Sequence, residues 1–226
     1  MNIGMFNKIS NILINYEKPS IEIEKLFNKE DFKKSSFNII SELEKIPQEK
    51  KFHPEGNVWN HTKMVVDVAA KINSFSSNAQ IFMWAALLHD IGKITTTKFI
   101  KGRYRSYDHD KEGANITYRL LELYENMDFT KRVTEIVRFH MHHIYIIKKL
   151  PFSDIEGLLN SENFNDIILL FICDKLGRGN QNLSENKNNI NEVYTILDIL
   201  DKKSNKNFED LRNLINKIEF DILNLK

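Results

Sequence analysis

Apolar residues along this chain recur mostly at intervals of three and four, the spacing that lines one face of an α-helix, and only 8 glycines and 4 prolines interrupt them. Helix is therefore expected over most of the length. The periodicity predicts helices over about residues 60–74, 78–91, 110–126, 130–144, 153–160, 164–177, 187–202 and 206–224. Two or three shorter ones fit residues 1–50, with Pro19 followed by Ser20 as a start signal and Pro47 as a stop. One segment departs from the pattern. Residues 95–107, TTTKFIKGRYRSY, carry β-branched and aromatic side chains on either side of Lys101 and Gly102, as a short hairpin does. Asparagine-rich stretches at 180–191 and 205–207 read as connections, and the last two helices as a hairpin against the core. The expected organisation is a helical extension over residues 1–50, a main domain over 51–180 and a C-terminal helical hairpin over 181–226.

Composition narrows the class. A chain of 226 residues, 42% of them hydrophobic, can bury a substantial core. Its 32 basic and 31 acidic residues leave a net charge of +1, which argues against a broad basic face for duplex DNA and leaves room for a local phosphate-binding patch. The single cysteine, Cys173, has no partner for an internal disulfide, which fits a reducing compartment. The N-terminal residues lack the basic start and apolar core of a signal peptide, and no run approaches the roughly 20 apolar residues that span a bilayer. A cytoplasmic protein without a membrane segment is expected.

The chemistry concentrates in the histidines, six of which lie between residues 61 and 143. On the helix expected over 60–74, His61 shares the buried stripe with Val65, Val68 and Ile72. His89 sits at the edge of the Ile81, Ala85, Leu88 stripe with Asp90 beside it. On the helix expected over 130–144, Val133, Val137, His140 and Ile144 form one row, His143 lies nearly on the same side, and His142 points away to solvent; His140 is the preferred ligand and His143 the next. Asp174 follows Ile167, Leu170 and Phe171 on a face that should be buried, where an unpaired carboxylate costs several kcal/mol or must protonate. Any one of these has an ordinary structural reading as a hydrogen-bonded core residue. Together, several helices sending His or Asp inward would leave a cluster of unpaired polar groups that a divalent metal resolves. His53, before Pro54 in an expected turn, reads as structural.

The ordered set of a first histidine, the His89-Asp90 doublet within LLHDIGK, later histidines and a distant aspartate resembles the HD superfamily of metal-dependent phosphohydrolases. More narrowly, PQEKKFHPEGNVWNHT, WAALLHDIGKITT, YDHDKEGA and IVRFHMHH are similar to the HD domain of bacterial CCA-adding tRNA nucleotidyltransferases, over roughly residues 35–180. The resemblance implies an all-α HD-domain helical bundle with a short hairpin-like loop around residues 95–107. It also implies that His61, His89, Asp90 and Asp174 hold one metal, with Asp90 bridging to a second held by His109 and His140. Mixed imidazole and carboxylate ligation suits Mn²⁺, Fe²⁺, Co²⁺, Ni²⁺ or Zn²⁺, with Mg²⁺ also open, as one or two ions. A nucleotidyltransferase head needs a Gly-Gly or Gly-Ser turn before paired carboxylates, whereas Asp108 and Asp110 merely flank His109. A free-standing phosphohydrolase domain is the expectation.

Lys93, which follows the doublet, is a candidate for a catalytic contact to phosphate or to the leaving oxygen, against the alternative of a solvated lysine at a helix end. Arg103 and Arg105 on the hairpin and Arg178 one turn after Asp174 are candidate substrate contacts, for which surface charge is the plainer reading. By resemblance the substrate is a nucleotide or RNA-end phosphoester, 2′,3′-cyclic phosphates included. Two alternatives use the same residues: an HD module that binds nucleotide or RNA without turnover, and an HD di-iron oxygenase.

Overall fold

The computed structural model describes residues 3–204 and 206–223; Asn205 in the second asparagine-rich connection, the end of the last expected helix at 224, and the outermost ends of the chain lie outside them. The helical expectation holds, and it extends further than expected: residues 183–191, in a stretch read as a connection, are helical as well. The chain forms α1 (Ile3–Asn15), α2 (Pro19–Leu26), α3 (Glu30–Lys33), a 3₁₀ segment (Ser36–Lys45), α4 (Val58–Ile72), α5 (Ala79–Leu88) and α6 (Lys93–Thr96). Strands β1 (Thr97–Ile100) and β2 (Arg103–Ser106) follow, then α7 (His109–Leu121), α8 (Met127–Phe139), α9 (His142–Ile147), α10 (Ile155–Asn160), α11 (Phe164–Leu176), α12 (Leu183–Ser204) and α13 (Glu209–Leu223). Among the described residues no helix is long and apolar enough to cross a membrane.

Two helices form the centre. In α5 every residue from Ile81 to Leu88 is buried, and in α11 every residue from Asp166 to Leu176, so each is enclosed on all sides. Helices α1, α4, α8 and α11 pack around α5, and α12 covers α11. Helix α1 is fixed by Phe6 stacked on Trp84 at 4.9 Å and by Trp84 Nε1 donating to Ser10 Oγ at 2.9 Å. Pro19 opens α2, where Ser20 donates from its backbone and its hydroxyl to Asp67 on α4, at 3.1 and 2.7 Å. Asparagine caps start α4, α5 and α8, with Asn57, Asn78 and Asn126 each accepting from a backbone N–H three residues on.

The hairpin sits where the sequence puts it. Thr97 pairs with Ser106 and Phe99 with Tyr104, and the turn residues Lys101 and Gly102 have φ of 50° and 76°, the two positive values that a two-residue hairpin loop needs.

The largest departure is in the helix expected over 130–144. It breaks after Phe139, and α9 restarts at His142 after a two-residue turn. This corrects the reading of His142. Its ring is fully buried against Phe139 at 4.6 Å, and its Nε2 accepts the backbone N–H of Asp154 at 3.0 Å, because the break removes it from the outer face of a continuous helix.

Gly92 explains how the doublet reaches α7. A Cβ placed there would stand 2.1 Å from His109 O and 2.4 Å from Gly113 N, so two glycines let the chain after α5 touch the first turns of α7. Gly92→Ala should therefore cost about 3 kcal/mol, the upper end for overpacking, lowering Tm by roughly 6–12 °C for a chain of this size. A thermal melt by circular dichroism checks it, and an unchanged Tm would mean that α7 yields freely.

Candidate metal centre

Helix ends supply the geometry. The last carbonyls of an α-helix have no intrahelical donor, and His89 and His140 each follow the final residue of a helix. His89 Nδ1 donates to Ala86 O at 2.8 Å and His140 Nδ1 to Val137 O at 2.6 Å. The same step of three residues recurs as His109 Nδ1 to Ser106 O at 2.7 Å and His143 Nδ1 to His140 O at 2.7 Å. His61 Nδ1 donates to Gly177 O at 3.0 Å. A carbonyl only accepts, so in the neutral form of each ring the proton is on Nδ1 and the lone pair on Nε2; His61, pushed up to about 9, reaches that form on losing its second proton. This is the arrangement in which ligating histidines are oriented by outer contacts.

The five Nε2 atoms turn toward two carboxylates. His61 Nε2 is 3.1 Å from Asp174 Oδ1, and His143 Nε2 is 3.2 Å from Asp174 Oδ2. Asp90 faces both ways: Oδ2 lies 3.3 Å from His89 Nε2, while Oδ1 lies 3.4 Å from His109 Nε2 and 3.7 Å from His140 Nε2. The donor atoms form two compact groups, His61 with His89 and Asp174, and Asp90 with His109 and His140, each within 4.8 Å. His89 Nε2 and His143 Nε2 are buried without a hydrogen-bond partner, and His109 Nε2 faces His140 Nε2 at 3.2 Å. Orphaned lone pairs converging on buried carboxylates fit a divalent cation. These buried groups are able to hold metal ions.

Charge in the cluster is held by its neighbours. Burial opposes ionisation of Asp90, yet the Lys93 ammonium and His89 hold its carboxyl well below the usual range. Burial likewise opposes charge on Asp174, and Arg178 and His61 keep it ionised. His61 is pushed up to about 9, since Asp174 and Glu55 outweigh the burial that disfavours its charge. Burial takes His143 down to about 3, and His53 and His142 to about 4.

The structure therefore brings together His61, His89, Asp90, His109, His140 and Asp174, from α4, α5, α7, α8 and α11 and the residues that follow them. It adds His143 beside Asp174. Lys93 is buried, so the solvated alternative does not hold: Nζ donates to Asp90 Oδ2 at 2.7 Å and to Gln48 Oε1 at 2.8 Å. Arg178 is half-buried, with Nη2 3.7 Å from Asp174 Oδ1. Arg103 and Arg105 are exposed on β2, where Arg105 Nη1 donates to the Tyr107 hydroxyl.

A pocket of about 260 Å³ opens over Asp90, His109, His140 and Asp174, and its outer wall is Gln48, Phe52, His53, Tyr104 and Tyr107. These residues lie within the stretch 47–62 that resembles the family and within the hairpin segment, but no period or spacing marks them as a pocket wall. Gln48 is reached through an irregular loop closed by the Pro47–Asn57 bridge, in which Gln48 Nε2 donates to Asn57 O at 3.2 Å.

The HD domain profile matches residues 58–206. The chain belongs to the HD domain family. Among curated relatives it is similar to multifunctional CCA proteins: that of Pasteurella multocida is 28% identical over 63% of this chain and 35% of its own length. That of Actinobacillus pleuropneumoniae is 29% identical over 59% and 34%, and that of Haemophilus influenzae 26% over 73% and 41%. The chain thus spans roughly a third to two fifths of the length of these relatives.

The titrations give opposite signs on either side of pH 6.5. His53, His142 and His143 have folded values below the unfolded 6.5, so the unfolded chain binds more protons and stability falls as pH drops from 6.5 toward 4. His61 is raised, so its contribution is complete below 6.5 and is lost as pH climbs through about 9. Chelator-treated protein should show a maximum in Tm near neutrality with decline on both sides, and a monotonic profile would contradict the assigned environments.

Proposed function

We propose that this chain is a metal-dependent phosphohydrolase that cleaves phosphomonoester or phosphodiester bonds of nucleotides or RNA ends. The observation that carries the reading is Asp90, whose two oxygens address two separate groups of imidazole nitrogens. Membership of the HD family supports metal-dependent phosphohydrolysis as the class, and the similarity to multifunctional CCA proteins directs the substrate toward RNA ends.

In this reading His61, His89, Asp90 and Asp174 would hold one divalent ion, with His143 available beside them, and Asp90, His109 and His140 would hold a second. The ions would supply Lewis acidity, making water nucleophilic near neutral pH and neutralising charge on the phosphoryl group. The protein's share is orientation. Nδ1 contacts to carbonyls hold each ring with Nε2 forward. Lys93 places a cation at the pocket wall and Gln48 fixes its ammonium, so a phosphate oxygen entering beside Asp90 meets a preset positive charge. Burial of the donor groups keeps bulk water from competing for these contacts.

Metal analysis of purified protein, coupled to a screen of phosphomonoesters, nucleotides and 2′,3′-cyclic phosphates with Mn²⁺, Fe²⁺, Co²⁺, Ni²⁺, Zn²⁺ and Mg²⁺, tests cofactor and reaction together. Bound divalent metal and metal-stimulated phosphate release are expected. Asp90→Ala should retain helical circular dichroism and lose more than the roughly 10- to 100-fold typical of outer-shell changes; wild-type turnover in that variant would end the proposal.

A second comparison separates site from scaffold. His140→Ala should abolish turnover, whereas His142→Ala should lower Tm, because the fully buried ring leaves a void beside Phe139 and the Asp154 N–H loses its acceptor, and keep turnover per folded molecule below the melt. Equal loss of turnover in the two variants would place His142 in the reaction.

A further inference from the structure

Beside the metal-ligand pocket lies a groove of about 560 Å³, and the two share Pro47, Gln48, Glu49 and Tyr104 as walls. The groove runs outward between the loop after the 3₁₀ segment and the hairpin. Its far wall is Phe99, which is 65% exposed although it is a large apolar side chain, next to its cross-strand partner Tyr104 at 39%. Their rings meet edge to face at 5.0 Å, leaving ring faces open to solvent. Phe52 and Tyr107, 51% and 60% exposed, stand at the mouth of the inner pocket, with Lys51 over the first ring and Arg105 over the second.

The hairpin's own charge has one sign. Residues 97–106 contain Lys98, Lys101, Arg103 and Arg105 and no acidic residue. The charged lining of the groove is balanced, Lys45 and Lys50 against Glu44 and Glu49; the strand register puts Lys98, Arg103 and Arg105 on the ribbon face opposite Phe99 and Tyr104, so the hairpin cation beside the groove is Lys101, in the turn next to Gly102. The inner pocket, at about 260 Å³, falls below the roughly 300–1,000 Å³ of sites that enclose a whole drug-sized ligand. It has room for a phosphate and its sugar, and what is attached must continue into the groove. Unpaired bases stacking on exposed aromatic faces, with the backbone following adjacent cations, are the chemistry of single-stranded nucleic-acid binding.

We propose that this groove holds the terminal nucleotides of a single-stranded nucleic-acid chain, with bases stacked on Phe99 and Tyr104 and phosphates near Lys45, Lys50 and the Lys101 turn, so that the enzyme acts on the end of an oligonucleotide in preference to a free nucleotide. This rests on the phosphoester reading above and adds the substrate's length and strandedness. Phe99, outside the inner pocket, governs the length preference alone.

The test is fluorescence anisotropy of the full chain with a labelled single-stranded octauridylate, competed by uridine monophosphate, by a duplex of equal length and by an octaglutamate peptide. The octanucleotide should bind at least about tenfold more tightly than the mononucleotide, and more tightly than duplex or peptide. One lost base stack of about 1–3 kcal/mol corresponds to roughly 5- to 150-fold in affinity, so Phe99→Ala should shrink the ratio of octanucleotide to mononucleotide affinity by at least about fivefold. Phe99→Tyr should restore it. Equal affinity for octanucleotide and mononucleotide, an unchanged ratio in Phe99→Ala, or peptide binding as tight as octanucleotide would each overturn the proposal, the last by showing a polyanion or acidic-protein surface. Binding does not require turnover: a Phe99-dependent length preference without phosphate release would end the hydrolase reading and leave this one standing, and metal-stimulated release without length preference would do the reverse.

Discussion

The centre depends on one repeated contact, the hydrogen bond from a histidine Nδ1 to a backbone carbonyl. In four of the five cases that carbonyl lies three residues earlier. Inside a helix the carbonyl is already engaged by the helix's own N–H groups; at an end it has room for another donor. The contact therefore couples where a helix stops to which nitrogen of a ring is a donor. Helix α5 stops at Leu88 and α8 at Phe139, and in both cases the next residue is a histidine whose ring donates to a carbonyl of the last turn, Val137 O also accepting the His140 backbone N–H at 3.4 Å.

Around that contact the fold tolerates a concentration of polar groups in its least wet region. Helices α5 and α11 are apolar on all faces along most of their length, and the polar residues they deliver, His89, Asp90 and Asp174, come at or near their C-terminal ends. Isolated, each would carry a large desolvation cost. Lys93 and Gln48 offset it for Asp90, and Arg178 and His61 for Asp174. Two lone pairs, on His89 and His143, stay unmatched within the chain. A polar cluster complete except at points facing its own centre has the form expected of a ligand shell.

The hairpin is the least enclosed element near the site, and its composition reflects this. Its strands leave Phe99 and Tyr104 outward on one face and Lys98, Arg103 and Arg105 on the other, while Thr97 and Ser106 join across the strands at 2.8 Å near the pocket. Rigid helices thus set the reacting end, and an exposed two-stranded ribbon borders the path to it.

The sequence by itself determined the helical class, the hairpin with its Lys101–Gly102 turn, and the identity of most polar residues at the centre. Each of these is a local signal: three- and four-residue periodicity, turn chemistry, and a His-Asp doublet ending an apolar run. Only the tertiary structure decided the grouping of the donors, because His61, Asp90 and Asp174 are far apart in the chain and their distances follow from how α4, α5 and α11 cross. It also decided His142 and His143. On an unbroken helix His142 points to solvent; the break at Met141 buries it under Asp154 and aims His143 at Asp174. That break leaves no mark in the apolar period, since it is stabilised by the ring of His140 on a carbonyl, and a side-chain contact of this kind is invisible until the chain has folded around it.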